Sequence, residues 1–114
     1  MKKLIFFLLF ICSGFASAQW TEQTSGITTL IYSVSSVDDD GVWACGDGGK
    51  VLRTVNSGIL WSTVTSPNSA ISFYTIQGID ALTAVVGGSD ASAAYVYKTV
   101  DGGATWTLTF SQPG

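Results

Sequence analysis

Tryptophan recurs at regular intervals along this chain, and its spacing constrains the fold more than any other feature. Trp20, Trp61 and Trp106 each open a short segment in which polar and apolar residues alternate, at separations of 41 and 45 residues. Alternation with a period of two is typical of a β-strand with one buried face. Self-similarity at this period predicts an array of similar supersecondary units.

The residues that precede the second and third tryptophans also match. Residues 52–61 align without a gap on residues 97–106. A basic residue, threonine, valine, asparagine or aspartate, glycine and tryptophan recur in register across the two segments. Agreement at so many distinctive positions indicates a true repeat, with the first unit at residues 31–65 and the second at residues 73–110.

Each unit is predicted to contain four short strands. Glycine- and aspartate-rich turns separate the apolar segments, and valine, threonine and serine favour strands over helices. Four strands in a repeat of this length match the size of one β-propeller blade. The predicted strands are 31–37, 42–46, 50–55 and 61–65 in the first unit, and 73–79, 84–88, 94–100 and 105–110 in the second.

The sequence therefore predicts an all-β fold with two four-stranded antiparallel β-propeller blades and an orphan N-terminal strand at residues 20–24. In a ring, the orphan strand would pair with the last blade as its closing strand. A closed propeller needs at least about four blades. Residues 19–114 are therefore expected to form a partial propeller that needs further blades or self-association to close. Whether the chain is a piece of a longer protein or assembles from copies is left open.

A specific motif precedes the third tryptophan. Residues 99–106 read Thr-Val-Asp-Gly-Gly-Ala-Thr-Trp. They resemble the Asp box, or BNR repeat, of sialidases, sortilin-like receptors and photosystem II assembly-factor-like propellers. Residues 54–61 form a degenerate copy, with Asn56 in place of aspartate and Leu60 in place of threonine. The residues assigned to the two boxes are Thr54, Asn56, Gly58, Trp61, Thr99, Asp101, Gly103, Thr105 and Trp106.

Each residue of the motif has a predicted structural role in a tight hairpin. The carboxylate of Asp101 can accept hydrogen bonds from backbone N–H groups of its own turn. Gly103 supplies a position where a positive φ is inexpensive. Trp106 is expected to start the last strand and to pack its ring against the turn. The motif therefore predicts the fold and leaves the ligand unidentified.

The resemblance to sialidases raises a catalytic hypothesis, which the residue content does not support. Such enzymes hold the substrate carboxylate with an arginine cluster and use a tyrosine nucleophile. This chain has a single arginine, Arg53, which aligns with Lys98 and is interpreted as a repeat feature. It has no histidine to act as a general base or to complete a catalytic triad. We predict no catalytic, cofactor-binding or metal-binding residues.

Two alternatives accompany that prediction. The chain could be the N-terminal part of a sialidase-like glycoside hydrolase whose catalytic residues lie in other blades. Asp38, Asp39 and Asp40 could form a loose Ca²⁺ site, although they lack the ligand spacing of an EF-hand. An exposed turn between two strands is the preferred interpretation of this acidic segment, and residues 47–49 are read as the next hairpin turn.

The N-terminus has the pattern of a secretory signal. Met1, Lys2 and Lys3 precede an apolar stretch that ends near Ala16-Ser17-Ala18. Cleavage is expected after Ala18, and Cys12 is counted within the apolar stretch. The mature protein is therefore predicted to be secreted, periplasmic or on the cell surface, with no membrane insertion after cleavage because no later segment is long and apolar enough.

The net charge of the chain limits the classes of molecule that it can bind. After residue 18 the chain has three basic and eight acidic residues, a net charge of −5. Such a surface repels phosphate backbones, so nucleic acid is excluded and an unknown protein or glycan is the expected partner. Cys45, the one cysteine after residue 18, is expected to be a buried thiol. Most aromatic residues are expected in the core, with Tyr95 and Tyr97 as the exposed pair.

Overall fold

The computed structural model describes residues 22–113, so the predicted signal at 1–18 and Trp20 lie outside the described residues. Within this range the chain forms two four-stranded antiparallel sheets, and strands that are consecutive in the chain are neighbours in each sheet. The first sheet contains β1 (Ile31–Ser36), β2 (Val42–Gly46), β3 (Val51–Thr54) and β4 (Ser62–Thr63). The second contains β5 (Ser72–Gly78), β6 (Ala84–Ser89), β7 (Ala93–Thr99) and β8 (Thr107–Pro113). This confirms the predicted all-β fold and the architecture of an incomplete propeller.

The last strand of each unit begins later than predicted. Trp61 and Trp106 lie in the preceding hairpins, and pairing starts at the residue that follows each tryptophan. β4 contains only two residues, although the backbone N–H of Val64 still donates to the carbonyl of Val51 at 3.0 Å. The hydroxyl of Ser66 then donates a 2.7 Å hydrogen bond to the carbonyl of Gly49. Residues 22–24 of the predicted orphan strand are not in a strand. Within the described residues, no third sheet lies beside them to provide backbone partners.

A bulge occurs at the same place in the first strand of both sheets. The register of β1 against β2 shifts around Tyr32, and that of β5 against β6 shifts around Tyr74. A bulge leaves one residue without a direct partner and redirects its side chain. The two tyrosines therefore leave the alternation of their strands at equivalent positions.

Glycine is required opposite each bulge. Gly46 and Gly88 occupy equivalent positions in β2 and β6. A Cβ atom at Gly46 would collide with the carbonyl of Leu30, and one at Gly88 would collide with the carbonyl of Ser72. The repeat thus preserves a close backbone approach that any larger residue would disrupt.

The core lies between the two sheets. Trp43 of β2 and Phe73 of β5 are fully buried, as predicted, and burial of such a side chain stabilises the fold by about 2–3 kcal/mol. The backbone N–H of Gly78 donates to Ser35 Oγ across the interface at 2.9 Å. Trp43 Nε1 donates to the carbonyl of Asp80 at 3.1 Å. The buried apolar cluster contains Trp43, Cys45, Val51, Ile71, Phe73, Ile76, Ala84 and Val86.

Cys45 is a buried structural thiol, as predicted. It has no exposed surface, and its Sγ donates to the carbonyl of Phe73 at 3.5 Å. Burial raises the pKa of the thiol to about 12. Because the thiolate is the reactive species, the protonated side chain is inert at neutral pH.

In the part of the chain from residue 22 to residue 113, no helix is long and apolar enough to cross a membrane.

Replacement of Phe73 by alanine tests the importance of the inter-sheet core. We expect F73A to lower the free energy of unfolding by about 3–5 kcal/mol, because it removes a fully buried ring and leaves a cavity. The matched control is F110A, since Phe110 is exposed on β8. Urea denaturation followed by tryptophan fluorescence measures both. Equal destabilisation by the two variants would contradict this location of the core.

Candidate functional site

Antiparallel topology gives the protein two distinct edges. The hairpin edge comprises the turn after the first strand and the hairpin after the third strand of each sheet, residues 37–41, 54–61, 79–83 and 99–106. The tyrosine edge, at the opposite end of the strands, comprises Tyr32, Tyr74 and the turn at residues 46–50. Each edge could carry function, and the two differ in how completely their polar groups are already bonded.

The second hairpin is closed by a network centred on Asp101. Its Oδ1 accepts hydrogen bonds from Thr99 Oγ1 at 2.8 Å and from the backbone N–H of Thr105 at 3.0 Å. Its Oδ2 accepts a 2.5 Å bond from Thr105 Oγ1. Thr99 Oγ1 in turn accepts from the N–H of Gly103, which has a φ of 90°. Both carboxylate oxygens are therefore engaged within the hairpin.

The first hairpin repeats this network with an amide in place of the carboxylate. Asn56 Oδ1 accepts from Thr54 Oγ1 at 2.9 Å and from the N–H of Leu60 at 3.0 Å. Thr54 Oγ1 accepts from the N–H of Gly58, which has a φ of 84°. Leu60 has no hydroxyl, so the bond from Thr105 Oγ1 to Asp101 in the second hairpin has no equivalent in the first. The degenerate sequence preserves the geometry with fewer bonds.

Each hairpin is also fastened to the turn after the first strand of its sheet. The N–H of Gly102 donates to the carbonyl of Leu82 at 2.8 Å, and the N–H of Ser57 donates to that of Asp40 at 3.0 Å. Ser57 adopts a φ of 61°, a conformation that is costly for a residue with a Cβ. Its hydroxyl bonds to Asp40 Oδ1 at 2.8 Å and helps to hold this conformation.

The acidic turn that was considered for Ca²⁺ contributes its side chains to the protein itself. Asp38 Oδ1 accepts from the backbone N–H groups of Asp40 and Gly41 at 2.9 and 2.5 Å. Asp40 binds Ser57, as described above. No group of three or more potential metal ligands is present among residues 22–113. Asp38 and Asp40 are thus turn-forming residues, and Asp39 contributes its carbonyl to Ser57 Oγ.

The two tryptophans of the hairpins bond beyond their own turns. The ring of Trp106 meets Trp43 of the first sheet edge-on at 6.3 Å, a contact beyond the predicted packing against its own turn. Trp106 Nε1 donates to the carbonyl of Thr65, also in the first sheet, at 2.8 Å. Trp61 Nε1 donates to Gln23 Oε1 at 3.0 Å. Each ring therefore connects its sheet to the chain that precedes it.

The side chain of Arg53 packs at the interface between the two sheets. Its guanidinium carbon lies 5.5 Å from the ring centroid of Trp43, within the range of a cation–π interaction. A Cβ atom built at Gly102 would lie 3.1 Å from Arg53 Nη1, so the guanidinium also reaches the second hairpin. Lys98, its repeat equivalent, is exposed on β7. Arg53 is thus stacked between the sheets.

The tyrosine edge carries an aromatic pair that the sequence analysis missed. Tyr32 and Tyr74 are 43% and 54% exposed, and their ring centroids are 5.2 Å apart. Asp47 lies beside them and accepts a hydrogen bond from Ser72 Oγ. The pKa of Tyr32 is raised, first by desolvation and then by the charge of Asp47 and by Tyr74. The available signal was the order apolar, tyrosine, hydroxyl at residues 31–33 and 73–75.

The prediction that Tyr95 and Tyr97 form the exposed pair is wrong. Both rings are half-buried, stack on each other at 6.3 Å, and pack against the core. Tyr97 also meets Phe73 edge-on, and its hydroxyl accepts from Asn68 Nδ2 at 3.2 Å. The connection between the sheets covers this strand face, which alternation along β7 does not reveal.

The fold places the chain in the class of β-propeller-like repeat proteins. Solved structures that are similar to it include two of YCF48. One is described as "YCF48 bound to D1 peptide", with 18% identity and a TM-score of 0.62, covering 81% of this chain and 31% of that one. The other is YCF48 from Cyanidioschyzon merolae, with 18% identity and a TM-score of 0.63, covering 82% of this chain and 30% of that one.

The chain thus spans about 30% of the length of these structures, and the similarity at this identity concerns the fold alone. No protein-family model matches the chain, and no curated protein is significantly similar to it.

Acid should weaken the second hairpin through Asp101. Its hydrogen bonds, that from Thr105 Oγ1 first, lower the pKa of the carboxyl from 3.8 to about 2. A lowered pKa means that the ionised form stabilises the folded state at and above the ordinary pKa. This contribution is lost as the pH falls towards about 2. We expect D101N to flatten the dependence of Tm on pH between pH 4 and pH 2.

The first hairpin supplies the converse variant. N56D combined with L60T reproduces the carboxylate and hydroxyl of the second hairpin, so it should make the Tm more sensitive to acid over the same range. Differential scanning calorimetry at several pH values measures both changes. A wild-type pH profile in D101N would rule out this role for Asp101.

Proposed function

We propose that this chain is part of an exported, non-catalytic propeller module that holds a segment of another protein at its tyrosine edge. The propeller-like fold supports an interaction module, because propellers bind partners through the connections at one end of the disc. One of the similar structures is described as having a peptide bound.

The exposed pair of Tyr32 and Tyr74 is the observation that carries this proposal. Tyrosine is enriched in protein-binding surfaces because its rigid ring covers a large area and its hydroxyl remains solvated. A bulge directs each tyrosine out of its strand, and bulges are common beside functional sites. Two bulges at equivalent positions place the rings in contact, so they offer one continuous aromatic platform.

The charge of the chain favours a neutral or basic partner. Asp47 lies at the platform, and the residues after position 18 carry a net charge of −5. Complementary charge speeds encounter and disfavours acidic competitors. The preferred ligand is therefore an extended polypeptide with an apolar or aromatic side chain for the tyrosines and a basic side chain near Asp47.

The hairpin edge has a structural role in this proposal. Residues 99–106 resemble the Asp box, and residues 54–61 are a degenerate copy of it. The polar groups at the centres of the two hairpins bond within their own turns or to the adjacent turn. The hairpins stiffen the scaffold, which keeps the opposite edge in a fixed shape.

Export by residues 1–18 can be tested directly. We expect the full chain, produced in a bacterium with a Sec pathway, to accumulate outside the cytoplasm as a species that starts at Gln19, because the charged start and small residues before position 19 suit a signal peptidase. Intact-mass spectrometry of periplasmic, medium and membrane fractions measures this. An uncleaved protein confined to the cytoplasm would contradict it.

Peptide binding is tested with Y74S. Linear random peptides on phage are selected against the mature chain, and the best is synthesised with a fluorescent label. We expect Y74S to weaken its binding about tenfold or more, as loss of a central aromatic contact does. The matched control is L108S, which removes an exposed apolar residue from β8 and should bind normally.

Fluorescence anisotropy measures each affinity. Equal binding by wild type and Y74S would refute the tyrosine edge as the site. A protein that selects no peptide but binds immobilised glycans would refute the choice of partner.

A further inference from the structure

We propose that the mature chain stacks head to tail on a second copy of itself, with the free face of the second sheet covering the free face of the first. The stacking would reuse the contacts that join the two sheets within one chain. The repeat equivalence of buried and exposed residues supports this stacking, which does not depend on peptide binding.

The first sheet has one face that the second sheet does not cover, which is called its free face. The residues on it are equivalent to those with which the second sheet packs against the first. Ile31 in β1 is equivalent to Phe73 in β5, because Ile31 pairs with Gly46 and Phe73 pairs with Gly88. Val34 is likewise equivalent to Ile76. Phe73 and Ile76 are buried against the first sheet, whereas Ile31 and Val34 are 41% and 65% exposed. The first sheet thus presents the apolar positions of an inter-sheet contact without a covering sheet.

The free face of the second sheet is the face turned away from the first sheet. Its residues are equivalent to those of the first sheet that contact Phe73. Gly87 occupies the position of Cys45, whose Sγ donates to the carbonyl of Phe73 in the interface, and Gly88 follows Gly87 in β6. They line a shallow, mainly apolar hollow together with Tyr74, Tyr95 and Val96. In a head-to-tail stack, Ile31 of the next copy would enter this hollow as Phe73 enters the interface within the chain.

Tyr32 and Tyr74 are also equivalent residues that meet between the two sheets of one chain. The rings of Tyr32 and Tyr74 are in contact at a tilt of 37° and remain half exposed. Because they are equivalent, the same step from sheet to sheet brings Tyr74 of one copy to Tyr32 of the next. The result is a continuous row of tyrosines along the joined tyrosine edges.

Residues 22–24 act as a competitor for this contact. Gln23 lies against Gly58 as Val64 lies against Gly103, because a Cβ atom on either glycine would collide with that side chain. The N-terminal segment therefore occupies the place of the last strand of a preceding sheet. It is held by the hydrogen bond that Gln23 Nε2 donates to the carbonyl of Ser57 and by the bond that Gln23 Oε1 accepts from Trp61 Nε1, and it has no strand pairing. β8 of a second copy would have to displace it.

A head-to-tail contact is heterologous, so it closes into a ring only when the rotation per copy permits. The rotation here is twice the step between adjacent propeller blades. Propellers typically contain about four to eight blades, so two-sheet copies would close as rings of about two to four.

The test uses variants of the chain from residue 19 that carry added cysteines, while the native Cys45 has no exposed surface. Ser72 Oγ bonds to Asp47 Oδ1 across the interface within the chain. The equivalents of these residues are Leu30 and Ser89, which the stack would place on adjacent copies. We expect L30C mixed with S89C to form a disulfide-linked heterodimer under mild oxidation, whereas either variant alone forms little. D47C with S72C, which should close within one chain, is the geometric control.

Mass measurement provides a second readout that needs no cysteine. Sedimentation equilibrium should show a wild-type mass that rises with concentration towards two to four copies. Removal of residues 19–25 should promote association by at least about tenfold, since it frees the place of Gln23. A monomer at the highest soluble concentration, with or without residues 19–25, would overturn the proposal. So would cross-linking that is as efficient within each variant as in the mixture.

Discussion

Burial of one sheet face against another is the interaction on which the rest of the structure depends. A four-stranded sheet of this size presents two faces, and its hydrogen bonds satisfy only the backbone in its plane. Trp43 and Phe73 supply the largest buried rings of the contact, and the guanidinium of Arg53 lies over the indole ring of Trp43. Without this contact each sheet would expose an apolar face, and neither the hairpins nor the bulges would have a fixed frame.

The two hairpins have the same hydrogen-bonded geometry because their sequences repeat. Thr99 and Asp101 close the second hairpin, while Thr54 and Asn56 close the first with bonds of nearly the same length. An amide oxygen replaces a carboxylate oxygen as acceptor in the same position. This equivalence explains how the motif tolerates Asn56 while the chain path remains unchanged. The rest of the hairpin is set by glycines with positive φ and by the bond to the adjacent turn.

Alternation and turn residues were sufficient to predict the sheets, because period-two patterns and glycine-rich turns are local signals. They were insufficient for the site. The bulges at Tyr32 and Tyr74 depend on the register between strands. Alternation alone predicts that both tyrosines follow the regular order of faces along their strands. Tyr97 is covered by Asn68 from a distant connection, so its burial is a tertiary effect. Trp106 bonds to Thr65 across the sheets, which no local pattern indicates.

The glycines opposite the bulges have a consequence for how such a chain can lengthen. Gly46 and Gly88 keep the same backbone approach in each unit, and the hairpin and core positions repeat in step with them. A tandem duplication of one unit would therefore insert a sheet whose backbone register and hairpins match those of its neighbours. Growth by whole units would keep the strands and hairpins in step, whereas an insertion of any other length would shift them out of step. The side chains at each new joint would still have to adjust, because Phe73 of the second unit corresponds to the smaller Ile31 of the first.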